Sequence, residues 1–185
     1  MRFTPTELPE VLLLEPTVHG DARGFFLESF HQRAFDAAVG ATVAFVQDNH
    51  SRSAQGVLRG LHWQLPPHAQ GKLVRVVRGA VWDVAVDLRR SSPRFGRWTG
   101  AELSEHNHRQ LWIPPGFGHG FLVLSEGGAD FLYKTTDHHA PESEASLRWD
   151  DPALAIAWPL APGQVPQVSA RDAAAPGLGQ ARCFD

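Results

Sequence analysis

The chain has 185 residues, 43% of them hydrophobic, with 17 Lys and Arg against 20 Asp and Glu. This length suits a single domain over residues 1–185 with a sizeable core, and a formal net charge of -3 removes any bulk electrostatic case for nucleic acid. One cysteine, Cys183, excludes an internal disulfide framework and fits a reducing cytoplasm, while the apolar run Val11–Leu14 between Pro9 and Pro16 is too short for a signal-peptide core or a membrane span.

Seventeen glycines and fourteen prolines punctuate short runs rich in Val, Leu, Phe and Trp, the rhythm of many short antiparallel strands in a sandwich or barrel. In chain order, strands are predicted over Val11–Glu15, Gly24–Phe30, Val43–Ser51, Val57–Gln64, Lys72–Arg78, Ala80–Asp87, Trp98–Leu103, Gln110–Ile113, Gly120–Ser125, Ala129–Thr136 and Ser146–Arg148. A short helix is predicted over His31–Val39, ended by Gly40. Gly79 marks a tight turn between adjacent strands. From Ala153 the chain turns rich in Ala, Pro and Gly, so an irregular C-terminal segment is expected, with helical turns near Pro152–Ile156 and Ala170–Ala174.

The stretch Gln47–Lys72 is strand-like yet dense in polar groups: Gln47, Asn49, Arg59, His62, Gln64 and Lys72 alternate with Val57, Leu58 and Leu61. Such groups resist burial unless each finds a partner, so they point to a polar pocket lined by strands. A titratable imidazole beside fixed cations suits chemistry on an anionic substrate. Strand alternation places Gln47 with Asn49, Lys72 with Val74 and Val76, and Phe131 with Tyr133 and Thr135. Arg59 and His62 have opposite parity, so a bulge at Gly60 is needed to turn both inward.

Taken alone, each candidate has a plain alternative. His62 reads as a base or as a satisfied core histidine, and Tyr133 as an acid or as a core aromatic with its hydroxyl at the rim. His119 follows Pro114 and Gly116 in a turn that delivers it to the next strand or leaves it exposed. His106-Asn107-His108 has a spacing that lets two imidazoles converge on a metal, but its setting reads as a polar turn, and His138-His139 before Pro141 reads as loop.

Taken together, Asp21-Ala-Arg-Gly-Phe-Phe-Leu-Glu28, Gln47-Asp-Asn-His-Ser51, Gly56-Val-Leu-Arg-Gly-Leu-His62, Gln70-Gly-Lys-Leu-Val-Arg-Val76, Asp83-Val-Ala-Val-Asp-Leu-Arg89, Ser92-Pro-x-Phe-Gly96, Ile113-Pro-Pro-Gly-Phe-Gly-His-Gly-Phe121, Tyr133-Lys134 and Trp149-Asp-Asp-Pro152 resemble the dTDP-4-dehydrorhamnose 3,5-epimerase family, in order from about residue 20 to 172. The resemblance implies an all-β, cupin-type antiparallel barrel (jelly roll) with a few short helices. It implies a cytoplasmic homodimer, without membrane or nucleic-acid partner, that epimerises a dTDP-linked 4-keto-6-deoxyhexose with no metal and no cofactor. His62-x-Gln64 stands where metal-binding cupins carry His-x-His.

By the same resemblance His62 is the base, Asp172 its partner, Lys72 the cation beside the enolate and Tyr133 the acid. Substrate-binding roles fall on Arg23, Glu28, Gln47, Asp48, Asn49, Arg59, Trp82, His119, Glu144 and Arg171. Trp82 is implied in nucleobase stacking, or is a barrel-wall tryptophan. His138-His139 stands where relatives usually carry tyrosines, one of which packs the base. The alternatives implied are an epimerase acting at C3 only or C5 only, a ketoisomerase on the same barrel, and a non-catalytic sugar-nucleotide binder.

Overall fold

Apolar and polar residues alternate along most strands, and this pattern sorts into two antiparallel sheets packed face to face. The computed structural model describes all residues, Met1–Asp185. Its elements are β1 (Arg2–Pro5), β2 (Leu12–Glu15), β3 (Val18–Asp21), β4 (Gly24–Leu27), α1 (Gln32–Val39), β5 (Gln47–Ser53), β6 (Leu58–Gln64), β7 (Lys72–Arg78), β8 (Ala80–Asp87), β9 (Trp98–Ser104), β10 (Gln110–Ile113), β11 (Phe117–Val123), β12 (Ala129–Thr135), β13 (Glu144–Ser146) and α2 (Ala170–Ala173). One sheet runs β1-β2-β10-β7-β12-β5 and the other β13-β6-β11-β8-β9, with β3 and β4 forming a separate hairpin. This is the all-β antiparallel architecture that the cupin-type resemblance implies.

Three apolar clusters hold the sheets. Between them lie Val74, Val76, Leu111, Ile113 and Phe131 from the first sheet and Val81, Ala85, Leu103, Phe121 and Val123 from the second. On the outer face of the second sheet, Leu61, Trp63, Val84, Val86 and Leu88 are covered by Leu147, Leu154, Ala181 and Phe184 from the irregular C-terminal region. On the outer face of the first, Phe35 of α1 packs on Leu12, Leu14, Leu73 and Trp112. Each such side chain fully buried contributes about 1.5–3 kcal/mol.

The predicted helix forms almost as read. His31 caps it, its Nδ1 accepting from the Ala34 amide, and Gly40 ends it at φ 77°. Several boundaries differ. Residues 42–46 form no strand, because Val43 is bound to α1 through the side chains of Asp36 and Gln32. The strand predicted to begin at Gly120 begins at Phe117, because the Pro114–Gly116 turn closes sooner and Phe117 already pairs with Asp87. The strand predicted over Ser146–Arg148 forms earlier, at Glu144–Ser146, where Glu144 pairs with Gln64. Sequence reading missed β1 and β3, both short and poor in apolar residues.

Two glycines decide local geometry. At Gly79 φ is 77°, and a Cβ would meet the Gly128 carbonyl oxygen at 2.1 Å, so the turn between β7 and β8 admits no side chain. At Gly60 φ is 123°, and a Cβ would lie 2.6 Å from the Gly120 Cα. There β6 bulges: His62 pairs with His119 and Arg59 with Phe121, two residues of β6 opposing one of β11. The bulge restores Arg59 and His62 to the same side.

Candidate active site

The two sheets part at one end around a cavity of about 530 Å³ whose lining includes Arg59, His62, Lys72, His119, Tyr133, Arg171 and Asp172. An adjoining space of about 370 Å³ shares His62, Lys72 and Tyr133 and adds Gln47, Asn49, His139 and Glu144. Strand alternation explains most of this set. Lys72 pairs with Thr135, and Val74 with Tyr133, so Lys72 and Tyr133 stand on the same face of neighbouring strands.

His62 meets Asp172 through Nε2 and Oδ1 at 2.5 Å. Asp172 sits on the one-turn α2, where Ser169 caps the turn by accepting from the Asp172 amide, and the Gly60 amide also donates to its carboxylate. Burial alone would raise the Asp172 carboxyl, but the hydrogen bond and charge of His62, with the Gly60 amide and Ser169, hold it below the ordinary range. An ionised Asp172 accepts a hydrogen bond from Nε2–H, which leaves the imidazole lone pair on Nδ1.

Lys72 reaches the His62 carbonyl oxygen at 3.5 Å. Burial pulls its ammonium down to about 8, against the opposing negative charges of Asp83 and Glu144. Tyr133 is raised above its ordinary value by burial, with Glu144 adding to the rise and Arg59 opposing it. At neutral pH the cavity therefore presents a charged lysine and a protonated phenol.

Beneath them His119 lies buried in mid-strand rather than in a turn, its Nε2 3.0 Å from Asp83 Oδ2 and its ring stacked on Phe131. Burial raises the Asp83 carboxyl, and the charges of His119 and Lys72 oppose it. Sequence reading missed Asp83 as a site residue. Its signal was an acidic residue at an inward position of β8, between Val81 and Ala85.

The rim is polar. Gln47 Nε2 donates to Asn49 Oδ1 at 2.9 Å, and Asn49 Nδ2 is buried with no partner. Arg59 is steadied by Ser53, its Nε donating to Oγ at 2.9 Å. Glu144 Oε2 accepts from Arg171 Nη1 at 2.6 Å. Buried Gln64 donates to the carbonyls of His68 and His138 and accepts from the Ala140 amide, pinning the loop that carries His139.

Four residues implied in substrate binding lie elsewhere. Asp48 points to the outer face of β5, paired with Lys134 at 2.9 Å, because it alternates with the inward Gln47 and Asn49. Trp82 alternates with the inward Asp83 and packs on the outer cluster of the second sheet, its indole against Gly100. Arg23 is paired with Asp21 on the exposed β3–β4 hairpin, and exposed Glu28 follows that hairpin; neither lines the cavity. His108 sits in a loop under the ring of Phe25, 4.8 Å between centroids.

Residues 5–180 match the sequence profile of the family described as dTDP-4-dehydrorhamnose 3,5-epimerase. The chain is 58% identical over 184 residues to a dTDP-4-dehydrorhamnose 3,5-epimerase of Pseudomonas aeruginosa, covering 100% of this chain and 99% of that protein. It is 57% identical over 176 residues to the enzyme of that name from Salmonella typhimurium, covering 95% and 94%. A dTDP-6-deoxy-D-glucose-3,5-epimerase from Legionella pneumophila, crystallised with dTDP-4-keto-L-rhamnose, superposes with a TM-score of 0.91 at 54% identity over 97% of this chain and 93% of that one. From end to end of the barrel, and at the sequence motifs that build its cavity, this chain belongs to the dTDP-4-dehydrorhamnose 3,5-epimerase family.

Proposed function

We propose that the chain converts a dTDP-linked 4-keto-6-deoxyglucose to the 4-dehydrorhamnose nucleotide by inverting C3 and C5. The observation that carries this reading is the His62–Asp172 pair opening on the same cavity as Lys72 and Tyr133. The C4 ketone of the substrate acidifies the neighbouring C–H bonds. His62 Nδ1 takes the proton from C3 or C5, and Asp172 balances the imidazolium that forms. The electron pair of the broken C–H bond enters the enolate, and the negative charge gathers on the C4 oxygen, where the Lys72 ammonium neutralises it. Tyr133 returns a proton to the carbon from the opposite face. Tyrosinate and imidazolium then re-equilibrate with water. The reaction calls for neither a metal nor a redox cofactor.

Arg59 and Arg171 at the cavity rim suit the diphosphate, since a guanidinium fork matches phosphate oxygens. Arg23 and Glu28 fit the same reading if the active form is a homodimer, with each hairpin reaching over the cavity of a second copy. The exposed Phe25 and Phe26, at 64% and 69%, support such a contact. No helix of the chain is long and apolar enough to cross a membrane, and a lone free cysteine agrees with work in the cytoplasm.

The deciding experiment is incubation with the 4-keto-6-deoxyglucose nucleotide in heavy water, read by NMR. Deuterium at both C3 and C5 is expected. Label at one centre only would replace the reading with a single-centre epimerase, and no label at all would reject it.

A further inference from the structure

Gln64 follows His62 by two residues on β6, so both side chains leave the strand on the same side. It is 3% exposed, and its amide makes three hydrogen bonds, all to backbone. Nε2 donates to the carbonyls of His68 at 2.7 Å and His138 at 3.1 Å, and Oε1 accepts from the Ala140 amide at 2.9 Å. Two donors and an acceptor on one neutral group are what a primary amide supplies; a carboxylate has no donor and a neutral imidazole only one.

The loop after β12 is anchored on both sides of this contact without Gln64. Before it, the Gly71 amide donates to Thr136 Oγ1 and Gln70 Nε2 to the Asp137 carbonyl, each at 2.8 Å. After it, the Leu65 amide donates to the Ser143 carbonyl at 2.9 Å. Between these anchors, residues 138–140 are hydrogen-bonded from outside the loop by two side-chain amides, those of Gln64 and Gln47. The contact with Gln47 has one possible sense. The His139 N–H can only donate, so Gln47 turns its oxygen to it at 3.1 Å, and its NH2 is left to donate to Asn49 Oδ1. Gln47 and Asn49 line the cavity beside His62, Lys72 and Tyr133.

We propose that Gln64 is a positioning residue for substrate affinity: by holding His138 and Ala140 it keeps the His139 amide on Gln47, which fixes the orientation in which Gln47 and Asn49 meet the nucleotide sugar. This rests on the reading that the nucleotide sugar occupies this cavity. The chemistry stands apart from the relay, because His62 is set by Asp172, and Lys72 and Tyr133 by the pairing of β7 with β12. Loss of the Gln64 amide therefore raises KM and spares kcat.

The test is steady-state kinetics on the 4-keto-6-deoxyglucose nucleotide, paired with isothermal titration of dTDP-glucose. Gln64→Glu keeps the shape and the acceptor and removes both donors. It should raise KM by about fivefold or more, the net worth of one hydrogen bond, weaken dTDP-glucose to match, and leave kcat within about twofold of the parent. Gln64→Met, neutral and of similar length, should do the same, and it decides alone if the carboxylate variant does not fold. In a Gln47→Leu background either change should add little to KM, since its route to the substrate is already cut. A fall in kcat with KM unchanged, parent-like constants in both variants, or an undiminished rise in KM in the Gln47→Leu background would overturn the relay while the functional reading stands. Failure of Gln64→Met to fold as well would make the residue structural and overturn the relay too. A parent protein that neither turns over the 4-keto nucleotide nor binds dTDP-glucose would bring down both.

Discussion

His62 and Asp172, 110 residues apart in the chain, meet at 2.5 Å through Nε2 and Oδ1, and this contact makes an otherwise ordinary strand histidine into a candidate base. Two local devices deliver it. The bulge at Gly60 turns His62 into the cavity, and the Ser169 cap sets the single turn that presents Asp172. Their substitutions should therefore act on turnover. His62→Asn is expected to lower kcat by about 10²–10⁴, the usual contribution of a general base. Asp172→Asn should lower it by about 10²-fold or more, because the neutral amide does not stabilise the imidazolium. Thermal melts that stay close to the parent would tie both losses to chemistry. Near-parent turnover of His62→Asn would remove it as the base.

Asp172 also links folding to pH. Its carboxyl is held below the ordinary value in the folded state, so its contribution to stability is present above the unfolded value, near 3.9, and fades as pH falls through the depressed folded value. Denaturant midpoints measured from pH 6 downward should fall less steeply in Asp172→Asn than in the parent below about pH 4.

Lys72 predicts the alkaline side of the rate profile. With its ammonium at about 8, the charge that meets the enolate disappears as pH rises through that value. The kcat of the parent should decline above pH 8. Lys72→Met should lose the decline with the charge, and run about 10²–10³ slower, as when one oxyanion donor is removed. A parent rate still level at pH 9.5 would count against Lys72 as the cation.

Tyr133→Phe separates the two halves of the reaction. Proton removal by His62 does not need the phenol, but return from the opposite face does. In heavy water the variant should still exchange hydrogen at C3 while product formation drops by about 10²-fold or more. An undiminished yield of inverted product would reject the phenol as the acid.

Arg23 tests the assembly. If each hairpin serves the neighbouring cavity, Arg23→Ala should raise KM with little change in kcat. Mixing it with inactive His62→Asn should then recover parent-like KM at one of the two sites of each mixed dimer. Kinetics identical to the Arg23→Ala protein alone would place the hairpin outside the partner's site.

The legible part of the site was the part written in strand parity. Gln47 with Asn49, Lys72 with Val74, and Tyr133 with Phe131 follow from alternation on β5, β7 and β12, while the pairing of β7 with β12 that sets Lys72 beside Tyr133 came only with the structure. The same rule, applied to β8, separates Asp83 from Trp82, which packs on the outer cluster of the second sheet. Asp48 likewise alternates outward beside Gln47 and Asn49. His62 with Arg59 required one further inference, the Gly60 bulge, and a glycine between two inward-bound polar residues was its only trace in the sequence.

The sequence by itself determined an antiparallel β protein, its punctuation by glycine and proline, and the polar face that two of its strands present, because side-chain direction along a strand is a local property with period two. Only the tertiary structure decided that Asp172 stands behind His62, that His119 is locked to Asp83, that Glu144 is shared by Arg171 and His139, and that Arg23 lies away from its own cavity. Those pairings depend on how the barrel closes and where the irregular C-terminal segment crosses it. Burial then sets the charge states, drawing Lys72 down to about 8 and raising Tyr133, which no spacing of residues records.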